Sequence, residues 1–155
     1  MSNIIFISLG SNLGDRLSNL EKSKKMLQAD ENIKIIKESS VLETEPVDFW
    51  DQPFFFNQTI QISSSYEPVE LLKRLKEIEK KMGREKTINK GPRIIDLDIL
   101  FYNNFSFDSS ELKIPHPQIL NRNFFVDQLL ELDSEIFYPP LNKKLREVVL
   151  NEYNS

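Results

Sequence analysis

Apolar residues enter the chain as one block, NIIFISLG, which lacks the alternation of a half-exposed strand and predicts a central strand buried on both faces. The junction GSNLGDR is rich in turn-formers, and Leu17, Leu20 and Leu27 then recur at helical spacing through about residue 28. Residues Ile33 to Leu42 predict a second strand that ends near Pro46. The stretch ETEPVDFWDQP holds two prolines and four acids with no period, and predicts a loop. From Phe55 to Ser63 the segment FFNQTIQIS alternates as a third strand does. Pro68 then opens the clearest helix, Leu71, Leu72, Leu75, Ile78 and Met82 mark its apolar face, and Gly83 stops it.

After a basic loop, RIIDLDILFY predicts a fourth strand. Beyond it the pattern predicts a short hairpin near residues 103–113, a loop at IPHPQILNR, a helix near Phe124–Leu130 and a last helix near Leu141–Leu150. The order strand, helix, strand, strand, helix, strand is that of the split βαβ, so the expected fold is α+β: a ferredoxin-like βαββαβ sandwich with an added C-terminal hairpin and helices. Many activities use that architecture, so it does not select one.

Composition narrows the class. The chain has 155 residues, without repeats or a Pro/Gly-rich linker, so one domain over residues 1–155 is expected. No apolar run approaches the roughly 20 residues of a membrane span, and no basic leader precedes the first one. The absence of cysteine removes disulfides and thiolate metal sites together, and suits a reducing cytoplasm. A net charge of −4 argues against general nucleic-acid binding. Within that acidic chain, REKTINKGPR (residues 84–93) carries four basic side chains and one acidic one, as a local phosphate site would. A solvated loop has the same composition.

Strand alternation places Asp96 and Asp98 on one face, roughly 7 Å apart, with Leu97 and Ile99 turned toward the core. Two like charges at that distance repel by about 2 kcal/mol at an effective dielectric near 20, so the pair calls for basic side chains or a divalent cation. Mg²⁺ takes such carboxylates and is usually shared with substrate phosphates. Spacing alone favours two solvent-facing acids on an edge strand, and the adjacent basic loop brings the metal reading level with it, because metals and arginines together make a phosphate clamp.

GPRIIDLDIL closely resembles the signature of the 6-hydroxymethyl-7,8-dihydropterin pyrophosphokinase family of folate biosynthesis. GSNLGDR, the TEP loop leading into DQPFFFNQ, the helix ending IEKKMGR, and IPHPQILNRNF fall in the family's order as well, so the likeness runs the length of the chain. The resemblance implies transfer of pyrophosphate from the co-substrate ATP to the pterin alcohol, giving AMP. It implies two Mg²⁺ ions held by Asp96 and Asp98, with Arg84 and Arg93 as catalytic-loop arginines. By the same resemblance Glu79, Arg84, Lys86, Arg93, Ile99, His116 and Arg122 meet ATP. Thr44, Glu45, Val47, Phe55, Asn57, Asp96 and Phe124 line the pterin pocket.

The residues give some of this independent support. A pterin is flat, aromatic and edged like an amide, so it suits an aromatic face beside paired hydrogen-bond groups, and Phe55 and Asn57 share a strand face. His116, the only histidine, lacks a second histidine or cysteine for a zinc site. Glu79 reads equally as one more charge on a solvated helix. Departures from the family pattern are Asn89 and Lys90, where a basic residue and an aromatic are common, then Glu111, Lys113 and Pro117, and a loop about one residue short. They bear on loop closure and nucleotide affinity. A cytoplasmic monomer acting on small molecules, without nucleic acid or membrane, is expected; the competing reading is a catalytically inactive ferredoxin-like module that binds nucleotide or RNA.

Overall fold

The structure is a computed structural model, and it describes residues 3–46, 51–84 and 92–153, with side chains to residue 150. The first apolar block forms β1 (Asn3–Ser11), whose last seven residues are all buried. Asp15 caps α1 (Arg16–Gln28), its carboxylate accepting from the Ser18 N–H at 3.1 Å. β2 (Ile33–Glu38), β3 (Leu42–Thr44) and β4 (Phe55–Ser64) follow. Glu67 and Glu70 form a capping box at the start of α2 (Pro68–Lys81), and Gly83, at φ +89°, ends it. β5 (Asp96–Tyr102) completes a sheet of order β2-β4-β1-β5, every pairing antiparallel, with β3 pairing β4 beyond the end of β2. This is the expected ferredoxin-like arrangement.

Two apolar clusters sandwich the sheet. On one face Ile5, Ile7, Leu9, Ile60, Ile62, Leu97 and Ile99 pack against Leu20 and Leu27 of α1 and Leu71, Leu75 and Ile78 of α2. Burying each such side chain contributes about 1.5–3 kcal/mol. On the other face Phe6, Leu100 and Phe101 pack against Phe125, Val126, Leu129 and Leu132 of α3 (Asn123–Leu132). α3 covers only part of that face, and the uncovered part is the site described below.

Three boundaries differ from expectation. The second strand is two strands: the ladder is interrupted at Ser39–Val41, where Ser39 N donates to the Thr59 carbonyl and Thr59 N to Ser39 Oγ, both at 2.9 Å. A short polar side chain thus replaces a ladder bond and bends the edge. The fourth strand starts at Asp96 rather than Arg93, because the Arg93 backbone is bonded to Asn12 instead of a neighbouring strand. The last helix, α4 (Leu145–Tyr153), starts after an unforeseen hairpin of β8 (Phe137–Tyr138) and β9 (Lys143–Lys144), in which Asn142 takes φ +51°. The expected hairpin near residues 103–113 is present as β6 (Phe107–Asp108) and β7 (Lys113–Ile114). No helix among the described residues is long and apolar enough to cross a membrane.

Candidate active site

Gly10 of β1 pairs with Asn57 of β4 on one side and Asp96 of β5 on the other, while Ser8 pairs with Thr59 and Asp98. Because alternate residues share a face, these side chains form two parallel rows across the sheet, on the side that α3 partly covers. Gly10 supplies the gap in the first row. A Cβ there would lie 3.0 Å from Asn57 Oδ1 and 3.6 Å from the Phe55 ring, so any side chain would intrude on the space between Asn57 and Asp96.

That space is an open cleft lined by Ser8, Gly10, Thr44, Glu45, Phe55, Asn57, Arg93, Asp96, Arg122, Phe124 and Phe125. Its chemistry suits a small, flat, polar-edged heteroaromatic. Phe55 and Phe124 supply rings, and Asn57 donates an amide hydrogen to Thr44 Oγ1, which leaves its remaining amide groups for a ligand. The Arg93 guanidinium sits 5.0 Å over the Phe55 ring, and its buried Nε has no hydrogen-bond partner among the described residues. A second open cleft lies on the other side of β5; Leu72, Lys76, Asp98, Ile99, Lys113 and His116 are among its walls. Asp96 faces the first cleft and Asp98 the second, so the carboxylate pair stands on the ridge between them.

Charge at the ridge is unevenly compensated. Arg84 Nη1 bridges Glu79 Oε2 at 2.9 Å and Asp96 Oδ1 at 3.0 Å, and Arg93 Nη1 lies 4.0 Å from Asp96 Oδ2. Among the described residues no cation lies within salt-bridge distance of Asp98. Burial, then the neighbouring charges of Asp96 and Glu79, push its carboxyl up to about 7, against weaker opposite pulls from Lys76 and Arg122. Glu79 is itself raised, by burial first, although its Oε2 accepts from the Leu97 N–H at 2.8 Å. It is buried, so its reading as a solvated helix charge is corrected: apolar packing of α2 carries it under β5.

Burial, then Arg122, lowers His116 to about 4, which leaves the imidazole neutral at pH 7. Its Nδ1 accepts from the Gln118 N–H at 3.1 Å, so the proton sits on Nε2. The ring stands edge-on to Phe125 at 5.4 Å.

Of the residues singled out from sequence, Thr44, Glu45, Phe55, Asn57, Arg93, Asp96, Arg122 and Phe124 meet at the first cleft, and Asp98, Ile99 and His116 at the second. Arg84 and Glu79 join them through Asp96. Val47, Lys86, Asn89 and Lys90 lie outside the described residues.

Sequence reasoning missed Gly10, Ser8, Lys76 and Asn12. Asn12 is buried, and it ties three segments together. Its Nδ2 donates to Gln52 Oε1 (2.8 Å) and the Pro53 carbonyl (3.1 Å), its Oδ1 accepts from Arg93 N (2.8 Å), and its own N–H donates to the Arg93 carbonyl (3.1 Å). A polar residue just past a fully buried strand was the available signal. Asn12→Ala is expected to cost about 2–4 kcal/mol in urea unfolding, since three side-chain bonds are lost in a buried place. A loss below about 0.5 kcal/mol would show that the tie is slack.

The described residues contain no group of three or more His, Cys, Asp or Glu placed to hold a metal ion. Two adjacent carboxylates without a full protein cage nonetheless fit Mg²⁺, which keeps several waters and takes further oxygens from a bound phosphate chain. The observation that supports the fit is that Asp98, crowded by Asp96 and Glu79, has no cation at salt-bridge distance among the described residues.

Residues 6–134 match the family model described as 7,8-dihydro-6-hydroxymethylpterin-pyrophosphokinase. The 2-amino-4-hydroxy-6-hydroxymethyldihydropteridine pyrophosphokinase of Bacillus subtilis is 38% identical over 136 residues, which is 88% of this chain and 81% of that protein. The Aquifex aeolicus protein of the same name is 38% identical, over 92% of this chain and 88% of its own length. The folic acid synthesis protein fol1 of Pneumocystis carinii is 43% identical over 87% of this chain, which spans only 18% of that longer protein. The solved Plasmodium falciparum HPPK-DHPS, wild type with pterin and p-hydroxybenzoate, superposes with a TM-score of 0.74 at 19% identity, over 97% of this chain and 43% of that one. At that identity the superposition speaks for the fold alone.

Proposed function

This chain belongs to the 7,8-dihydro-6-hydroxymethylpterin-pyrophosphokinase family, and from that premise we propose that it transfers pyrophosphate from ATP to 6-hydroxymethyl-7,8-dihydropterin, releasing AMP, as a step of folate biosynthesis. The observation that carries the reading is the carboxylate ridge between two clefts, one suited to a pterin and the other open to a nucleotide. In the reaction the pterin hydroxyl oxygen bonds to the β-phosphorus, the bond from that phosphorus to the α–β bridging oxygen breaks, and the hydroxyl proton goes to solvent.

Phe55 and Phe124 hold the pterin ring, Asn57 and Thr44 its polar edge, and the hydroxymethyl group points toward Asp96. The nucleotide lies in the second cleft against Ile99, with its phosphates toward the ridge. His116, neutral and protonated on Nε2, donates a hydrogen bond there without adding charge. Arg84 and Arg93 offer planar forks to phosphate oxygens, and their placement beside Asp96 fits alignment and charge stabilisation better than proton transfer. Asp96 and Asp98 would hold two Mg²⁺ ions, which when bound neutralise triphosphate charge and make the pterin hydroxyl more acidic. An RNA-binding sheet of this architecture leaves its aromatic face open within a basic surface; here that face is partly covered by α3 and carries two acids. One sheet carries β1 to β5, and α3 and Leu145 pack on its face, which supports a single domain for residues 1–155; we take it to act as a cytoplasmic monomer.

Incubation with ATP, Mg²⁺ and the pterin alcohol should release AMP in step with a pterin diphosphate; ATP hydrolysis that ignores the pterin would sink the reading. Chelation by EDTA should stop turnover, and Mg²⁺ should restore it. Because the Asp98 carboxyl titrates at about 7 and must ionise to bind a cation, Mg²⁺ affinity in the presence of a non-hydrolysable ATP analogue should fall about tenfold between pH 8 and pH 6. Calorimetry that finds the same affinity at both pH values would contradict the assignment.

A further inference from the structure

The interruption at Ser39–Val41 leaves part of the β4 edge without strand partners, and α3 is bound into that opening by polar contacts. Ser40 N and Oγ donate to the two Glu131 carboxylate oxygens at 2.9 and 3.0 Å, and Lys37 Nζ donates to the Leu132 carbonyl at 3.1 Å. At the centre is Gln128, which has no exposed surface. Its Nε2 donates to the Asn57 carbonyl at 2.8 Å and to the Ser40 carbonyl at 3.2 Å, and its Oε1 accepts from Thr59 Oγ1 at 2.9 Å. Two carbonyls demand the NH₂ on their side, so the amide orientation is determined by its partners.

We propose that Gln128 is a positioning residue for the pterin pocket: its amide sets the height of α3, and with it the Phe124 ring, over Asn57 and Phe55. Gln128 and Phe124 are four residues apart on one helix, so they share a face, and a shift of one carries the other. Phe125, Val126, Leu129 and Leu132 add apolar packing, which holds the helix down without selecting its position along the sheet, and the Ser40–Glu131 and Lys37–Leu132 bonds tie only its last turn, at the rim. The Gln128 amide is directional and grips the backbone of Asn57 itself. Removing its donors takes from the buried Asn57 carbonyl its side-chain partner, while the exposed Ser40 carbonyl keeps Ser39 Oγ at 2.9 Å, and α3 is then free to shift over Asn57.

The inference rests on the pterin reading of the first cleft. Its test is steady-state kinetics on Gln128→Met and Thr59→Val beside wild type, with fluorescence titration of the pterin alcohol in the presence of Mg²⁺ and a non-hydrolysable ATP analogue. Gln128→Met should raise the pterin KM and Kd about tenfold, leave the ATP KM within about twofold, and keep kcat at saturating pterin within about threefold. Thr59→Val, which keeps both Gln128 donors, should move the pterin KM the same way by about twofold, and it stands in if Gln128→Met does not fold. A lowered melting temperature with unchanged pterin KM would show a structural role only and overturn the proposal, as would equal rises in both KM values. Wild type that neither binds nor turns over the pterin would instead overturn the functional reading, and this one with it.

Discussion

Asp98→Asn is expected to reduce pyrophosphoryl transfer by about a thousandfold or more while making the protein more stable at pH 8. The first effect follows from its place on the ridge. A cation that neutralises developing phosphate charge is worth several kcal/mol in the transition state, and an amide oxygen is a far weaker ligand for it than a carboxylate. The second effect follows from the electrostatics. The Asp98 carboxyl titrates at about 7 in the folded chain, against 3.8 ordinarily. For an acid raised in this way the folded state holds its proton more firmly than the unfolded state does. Its favourable contribution is therefore complete at low pH, fades as pH rises through the folded value, and is absent at pH 8. The amide carries no charge at any pH, so it escapes the repulsion of Asp96 and Glu79.

In metal-free thermal melts the variant should exceed wild type by a few degrees at pH 8, a shift that corresponds to roughly 1 kcal/mol in a domain of this size, and the gap should close toward pH 5. Turnover within a factor of a hundred of wild type, or a lower melting temperature at pH 8, would refute the assignment. A destabilising carboxylate kept in place is the pattern of a residue held for function.

Arg84→Ala should lower kcat about a hundredfold while changing the affinity for a non-hydrolysable ATP analogue less than about fivefold. In the structure the guanidinium is already engaged, at 2.9 Å from Glu79 and 3.0 Å from Asp96. Its bond to Asp96 competes with any cation that carboxylate takes up, so substrate and metal binding would release the arginine toward phosphate oxygens. That exchange makes its strongest contacts those formed during transfer, which is why kcat should suffer more than binding. The same substitution leaves Glu79 and Asp96 unscreened beside Asp98, so the acid limb of the activity profile should also move to higher pH. Arg84→Lys should recover only part of the rate, because an ammonium cannot present two parallel donors. Equal losses in kcat and nucleotide affinity would point to a ground-state contact instead.

Local pattern carried the elements well where one physical signal dominated. The apolar block before Gly10 formed a buried strand, and Pro68 and Gly83 bounded α2 as their backbone preferences require. Alternation placed Asp96 and Asp98 together and sent Leu97 and Ile99 to the opposite core. It failed at Leu100, where a bulge sends Leu100 and Phe101 to the same cluster while Tyr102 joins the other, since the register slips between Phe6 and Ile7 of the partner strand. It failed again at Ser39, where a hydroxyl substitutes for a ladder bond. Both misses depend on a neighbouring strand, which a periodicity along one chain does not contain.

The sequence by itself determined the order of the core strands and helices apart from the break at Ser39, the carboxylate pair, the aromatic and amide face of Phe55 and Asn57, and the family. All of these are written in residue types at short spacing. Only the tertiary structure decided which groups share an environment. Glu79, indistinguishable in the helix pattern from its solvated neighbours, is buried against the Leu97 amide and shares Arg84 with Asp96. His116 is neutral because burial and Arg122 make it so. Asn12 and Gln128 gained roles through partners far away in the chain. The reason is common to all four: desolvation and hydrogen bonding act over a few ångströms of space, and folding brings together residues that the sequence keeps apart.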